Sequence, residues 1–186
     1  MKTYNKPQFI HCLLLIVATV CAYFPILSNN FLYFWDDQWV VMNHYTERGF
    51  SLSNLWTIFI EFYHGQYAPL NELLYLKLYA LFGYNPFFFH FASLILHLAN
   101  VLLVYVCIHQ LLSRSERVKL SNIPVISFLT ALIFAIHPFN VESVAWVSAS
   151  KILVYALYYL LATLSFITYL SNQKSRYYIL TLLLFI

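Results

Sequence analysis

The sequence predicts an all-α polytopic membrane protein, and three observations carry that expectation. Hydrophobic residues make up 62% of the 186 and charged residues only 9%, whereas a soluble domain averages about one-quarter charged. Apolar runs recur at close to the ~20 residues that a helix needs to cross a hydrocarbon core of about 30 Å. Short basic clusters separate those runs, as topology signals do. With only 3 Gly and 6 Pro there is little linker material, so 1–186 reads as one partial transmembrane domain.

The first run, 9–27, carries no Asp, Glu, Lys or Arg and follows Lys2 and Lys6. A cleaved signal peptide is the competing reading, because Val20-Cys21-Ala22 resembles a processing site. The run exceeds the ~7–15 residues of a signal core, which favours a retained helix. Further spans are expected at 86–112, 124–137 and 152–170, and a fifth opens at 177–186.

Simple alternation places Lys2 and Lys6, then Arg114, Arg117 and Lys119, then Lys174 and Arg176, on one side of the membrane. The positive-inside rule makes that side cytoplasmic, with the N-terminus. Asp36, Asp37, Glu47, Glu61, His137 and Glu142 are then expected on the outer face. The large first loop, 28–85, holds two helix signals. Ser51 or Ser53 can cap a helix over 54–63 with Leu55, Trp56, Phe59, Ile60 and Tyr63 on one face. Pro69 suits the first position of a second helix that Gly83 can end. About 14 residues at 1.5 Å each reach roughly 21 Å, short for a span, so both are expected to lie in the interface plane.

A net charge of +3 is too small to suggest nucleic acid, and no nucleic-acid partner is expected. Cys12, Cys21 and Cys107 all fall in apolar runs, which argues against a disulfide framework, a zinc site or a nucleophile. The acidic residues number 7, yet two stand together in "FWDDQWVVMNHY", directly beyond the first run. Asp36 and Asp37 read either as solvated loop residues that cap a short helix or as a site at headgroup height.

A second group follows the third run. Pro138 breaks the helix after His137, and Glu142 and Lys151 come shortly after. His90 and His97, seven residues apart on one helix face with Asn100 nearby, read as interhelical hydrogen-bonding groups; two histidines without a third ligand make a poor zinc site. Trp35, Trp39 and Trp56 read as interface anchors.

The order of motifs also resembles a known family. Trp35-Asp36-Asp37 comes first, then Phe50-Ser51 with Asn54-Leu55, Tyr67-Ala68-Pro69-Leu70, and Leu81-Phe82-Gly83 with Asn85-Pro86. His90, His97 and Asn100 follow, and "LIFAIHPFNVESVAWVSASK" closes the series. In this order and spacing the chain resembles the multi-spanning membrane glycosyltransferases of the C-type fold. Within them it is similar to the bacterial branch of the protein O-mannosyltransferase-like family, whose members carry tetratricopeptide repeats after the membrane part. Two departures stand out. Many members have arginine where this chain has Ala68, and Ser150-Lys151-Ile152 replaces an Arg-Lys-Asp run.

The resemblance implies the N-terminal helices of a C-type fold with a large outer first loop. It implies an enzyme that takes sugar from a polyprenyl-phosphate carrier to a hydroxyl on a protein or another glycan. Asp36 and Asp37 would be catalytic, and His137, Glu142 and Lys151 would bind substrate. No cofactor is expected. A divalent metal on the aspartate pair is chemically possible with oxygen ligands, but the family is understood to work without one. The expected partners are membrane lipid, the lipid-linked donor and the acceptor. The bacterial-type pattern implies an inner membrane with the first loop in the periplasm, and the short chain reads as part of a longer protein. The alternatives are a catalytically silent scaffold derived from the family and, less favoured, a transporter subunit.

Overall fold

The computed structural model describes residues 6–116 and 118–185; Lys2 and Arg117 of the basic clusters lie outside them. Among the described residues no β-strand forms, and the chain is a series of helices. Three stretches, Pro7–Ser28, Pro86–Leu112 and Val147–Asn172, are long and apolar enough to cross a membrane. Leu120–Ile136 and Pro138–Ala145 form a pair bent by 49° that together has the character of a fourth. The protein is an all-α polytopic membrane protein.

Among the described residues ten α-helices follow in order. They are α1 (Lys6–Tyr23), α2 (Asp37–Val40), α3 (His44–Glu47), α4 (Leu52–Ile60), α5 (Pro69–Phe82), α6 (Pro86–Leu112), α7 (Ile123–Ile136), α8 (Val141–Ala145), α9 (Lys151–Asn172) and α10 (Ser175–Phe185). Local chemistry sets several of their ends. Ser51 accepts from the Asn54 N–H at the start of α4, and Asn43 accepts from the Thr46 N–H at the start of α3. Each thereby satisfies a backbone donor with no partner inside its helix. Pro69 and Pro86 stand at the first positions of α5 and α6, where a missing N–H costs nothing. Gly83, at φ 60°, ends α5 in a conformation that a side chain would strain.

The helices divide into two compact units. Of the described residues, one comprises those up to 22, those within 95–140 and those from 155 to 185. Its core gathers Leu15, Val101, Tyr105, Ala131 and Ala135. His97, fully buried, bonds the Ala135 carbonyl through Nε2 at 2.9 Å, which ties α6 to α7 as an interhelical hydrogen bond. His11 stacks on Phe128 with centroids 4.8 Å apart. Arg114 donates to the Ile167 carbonyl at 2.9 Å and to the Ser171 hydroxyl.

The other unit comprises residues 23–94 and 141–154. Its core packs Phe31, Val40, Val41, Tyr75, Leu78, Phe89 and Val147, with a second cluster of Tyr45, Ile58 and Leu76. The start of α6, α8 and the turn before α9 are thereby packed around the first loop. All the site geometry that follows belongs to this unit.

Candidate functional site

Asp37 is the structural hub of the first loop. It opens α2, is 1% exposed, and accepts hydrogen bonds at both oxygens. Oδ2 takes the Leu32 N–H at 2.8 Å. Oδ1 takes the Ser148 N–H at 3.1 Å and the Ser148 hydroxyl. Ser148 is 111 residues away in sequence, so one carboxylate fastens the loop just after the first span to the segment just before α9. A carboxylate has about four lone-pair sites, and three are in use here.

Asp36 differs from its neighbour. It is half-exposed, and its side chain makes no hydrogen bond to the helix that it precedes. The two aspartates, indistinguishable in sequence, therefore separate into a buried group held by three hydrogen bonds and an accessible, uncommitted one.

Two cavities adjoin this segment. One, of about 350 Å³, is lined by Phe31, Leu32, Tyr33, Phe34 and Trp35 and is almost wholly apolar. The other, of about 520 Å³, is lined on its polar side by Asn29, Asn30, Asp37, His90, Glu142 and Trp146. Phe31 and Leu32 line both, so the cavities are neighbours. Asp37 and Glu142, separate in sequence, thus share one cavity. His90 and Trp146 join them there, although His90 reads from sequence as an interhelical group like His97.

Lys151 stands elsewhere in the unit. It donates to Gln66 Oε1, and its charge acts on Glu72. Glu72 also accepts from Asn43 Nδ2 at 2.8 Å. Burial pushes the Glu72 carboxyl up to about 7, against the opposing effects of the Asn43 hydrogen bond and the Lys151 charge. Tyr45 donates to Glu61 at 3.1 Å, and burial together with that bond pushes its hydroxyl up to about 12. Deeper in the unit Tyr75 donates to the Val147 carbonyl at 2.7 Å and lies 2.9 Å from Ser150 Oγ, which donates to Asn71 at 3.0 Å.

His137 falls in the other unit. Its Nδ1 accepts from the Phe139 N–H at 3.2 Å, closing the turn that ends α7. Among the described residues no group of three or more His, Cys, Asp or Glu is placed to hold a metal ion. Of the tryptophans read as anchors, Trp35 and Trp56 are 62% and 68% exposed, whereas Trp39 is half-buried with its ring 4.7 Å from that of His64.

The chain is 32% identical over 165 residues to human protein O-mannosyl-transferase TMTC1, an alignment covering 82% of this chain and 17% of that protein. It is 30% identical over 164 residues to human protein O-mannosyl-transferase TMTC4, covering 81% and 22% respectively. Over 115 residues it is 30% identical to protein O-mannosyl-transferase Tmtc3 of Drosophila melanogaster, covering 55% and 12%. The chain therefore spans less than a quarter of the length of these curated relatives. No family model matches it, and no solved structure matches it significantly. The curated relatives that it reaches are protein O-mannosyltransferases.

Proposed function

We propose that this chain is the N-terminal part of an integral-membrane glycosyltransferase of the O-mannosyltransferase-like family, with a C-type fold. It would transfer a sugar from a polyprenyl-phosphate carrier to a hydroxyl on a protein or another glycan. The observation that carries this reading is the pair of adjoining cavities. An apolar pocket lined by Phe31 to Trp35 suits a prenyl chain. The polar one beside it, bounded by Asp37 and Glu142, suits the group that the lipid carries. The names of the similar proteins support mannose as the sugar.

Asp36 is the proposed base and Asp37 its positioning partner. The acceptor O–H gives its proton to the Asp36 carboxylate as the oxygen bonds to the anomeric carbon. The bond from that carbon to the phosphate oxygen breaks, and polyprenyl phosphate leaves with the electron pair. Attack from the side opposite the leaving group inverts the anomeric configuration. A base needs a free lone pair, and the half-exposed Asp36 side chain makes no hydrogen bond to the helix that it precedes. Asp37, held by three donors, fixes the loop so that little reorganisation accompanies the reaction. Lys151 is the candidate cation for the departing phosphate; His137, which belongs to the other unit, stays a candidate substrate-binding residue by the resemblance alone.

The basic clusters support an outer-facing first loop, and a bacterial inner membrane with that loop in the periplasm is part of the proposal. The exposed Trp56, Phe59 and Ile60 of α4 support its lying in the interface. The test uses membranes containing the full-length protein, a polyprenyl-phosphate donor with labelled mannose, and a hydroxyl-bearing acceptor peptide. Donor-dependent labelling that Asp36→Asn abolishes at unchanged expression is expected. No labelling by the wild type would leave the scaffold reading, which the Ser150-Lys151-Ile152 departure favours. Equal labelling by wild type and Asp36→Asn would remove the base assignment.

A further inference from the structure

We propose that the polar cavity beside Asp37 is a subsite for a neutral sugar ring, in which His90 and Trp146 supply hydrogen bonds to its hydroxyls. The inference rests on the transferase reading above and adds two binding residues to it. His90, in the second turn of α6, is 2% exposed and lines the cavity. The Asn30 backbone acts on the ring as a hydrogen-bonding group and the Asp37 charge acts on it too, but neither ring nitrogen makes a hydrogen bond of good geometry. Trp146 lines the same cavity, and its indole Nε1 is likewise buried without a partner. Buried polar groups are nearly always satisfied, so two such groups on the wall of one cavity point to a ligand that serves both.

The donor and acceptor inventory says which ligand. A neutral imidazole presents one donor and one acceptor, and the indole N–H only donates. Asp37 retains a lone pair, and the exposed Glu142 brings two further oxygens as acceptors. A hydroxyl both gives and takes a hydrogen bond, so a ring bearing several satisfies the mixed set. A phosphate or carboxylate only accepts, and it would face two carboxylates across the cavity with no lysine or arginine on the wall. The charge balance therefore assigns the cavity to the uncharged sugar and leaves the phosphate to another part of the site. A volume of about 520 Å³ lies within the range of small-molecule sites, and the half-exposed Trp146 also offers an aromatic face for the ring.

The experiment measures binding of two short-chain polyprenyl phosphates to the full-length protein, one bearing mannose and one bare. The wild type should prefer the mannosyl lipid. His90→Leu and Trp146→Phe should each weaken it about tenfold while leaving the bare lipid unchanged, and His90→Gln, which keeps a donor and an acceptor, should restore most of the loss. Equal weakening of both lipids would overturn the assignment, because it would mark a phosphate contact or a disturbed fold. Unchanged binding in both variants would overturn it too, because the two groups would then be serving ordered water. If the wild type binds neither lipid, or binds them equally, the transferase reading itself fails, and the inference falls with it.

Discussion

Replacing Asp37 by Asn should unfasten the first loop. The substitution keeps the shape but leaves one acceptor oxygen and places an NH2 group where the other stood. If the remaining oxygen stays with Ser148 N–H and hydroxyl, the 2.8 Å bond from the Leu32 N–H is lost and two donors face each other. Turned the other way, the Ser148 N–H loses its acceptor and the Ser148 hydroxyl can only accept from the new NH2 group. Hydrogen bonds to a charged group are worth about 1.5–3 kcal/mol each, so the cost should be roughly 2–4 kcal/mol. At 1% exposure solvent offers no replacement partner. The assay is amide hydrogen exchange in the full-length protein. A loss of about 2 kcal/mol in local stability speeds exchange at Leu32 and Ser148 by roughly 30-fold. Asp36→Asn, at an uncommitted half-exposed side chain, should stay within about 0.5 kcal/mol of wild type. Equal protection of the two amides in both variants would refute the division of roles between the aspartates.

Two further consequences concern the same unit. The Glu72 carboxyl is raised from its ordinary 4.5 to about 7, so the folded state holds a proton that the unfolded chain has released over that interval. Stability is then fully present below about 4.5 and falls as pH rises through about 7. Glu72→Gln should flatten the fall and raise the unfolding midpoint at pH 8, and a lower midpoint there would contradict the buried-acid account. Tyr75→Phe removes a hydroxyl that donates to the Val147 carbonyl at 2.7 Å inside the core. Leaving that carbonyl unpaired should cost about 1–3 kcal/mol, read as a lowered thermal midpoint; an unchanged midpoint would show that the bond contributes nothing.

The fold class is legible in the sequence because composition alone decides it: so few charges over so many apolar residues leave no surface for a soluble domain. The ends of α4 and α5 are legible too, since Ser51, Pro69 and Gly83 act through local backbone chemistry. Sequence reasoning places α4 about two residues late and carries it about three residues too far. The chain leaves the helix at Glu61, whose backbone is extended, and turns back through the Tyr63–Gln66 pairing.

What stays hidden is set by long-range contact. Nothing near Asp37 announces that its partner is Ser148, so the aspartate pair looks symmetric in sequence. His90 and His97 carry the same local signal, yet His97 finds a carbonyl on the next helix and His90 lines a cavity. Glu142 and Lys151 stand close in the chain, but the fold gives Lys151 to Gln66 and the neighbourhood of Glu72. Trp146 was visible as part of a motif; only the cavity shows what its indole N–H borders.

The central claim is that the carboxylate pair acts on a lipid-borne sugar at the non-cytoplasmic surface. The most direct measurement uses sealed, oriented vesicles that contain the full-length protein and a labelled polyprenyl-phosphate sugar, with an impermeant acceptor peptide added outside. Labelled peptide should form in right-side-out vesicles and be absent from inverted ones. Labelling confined to inverted vesicles would contradict the claim.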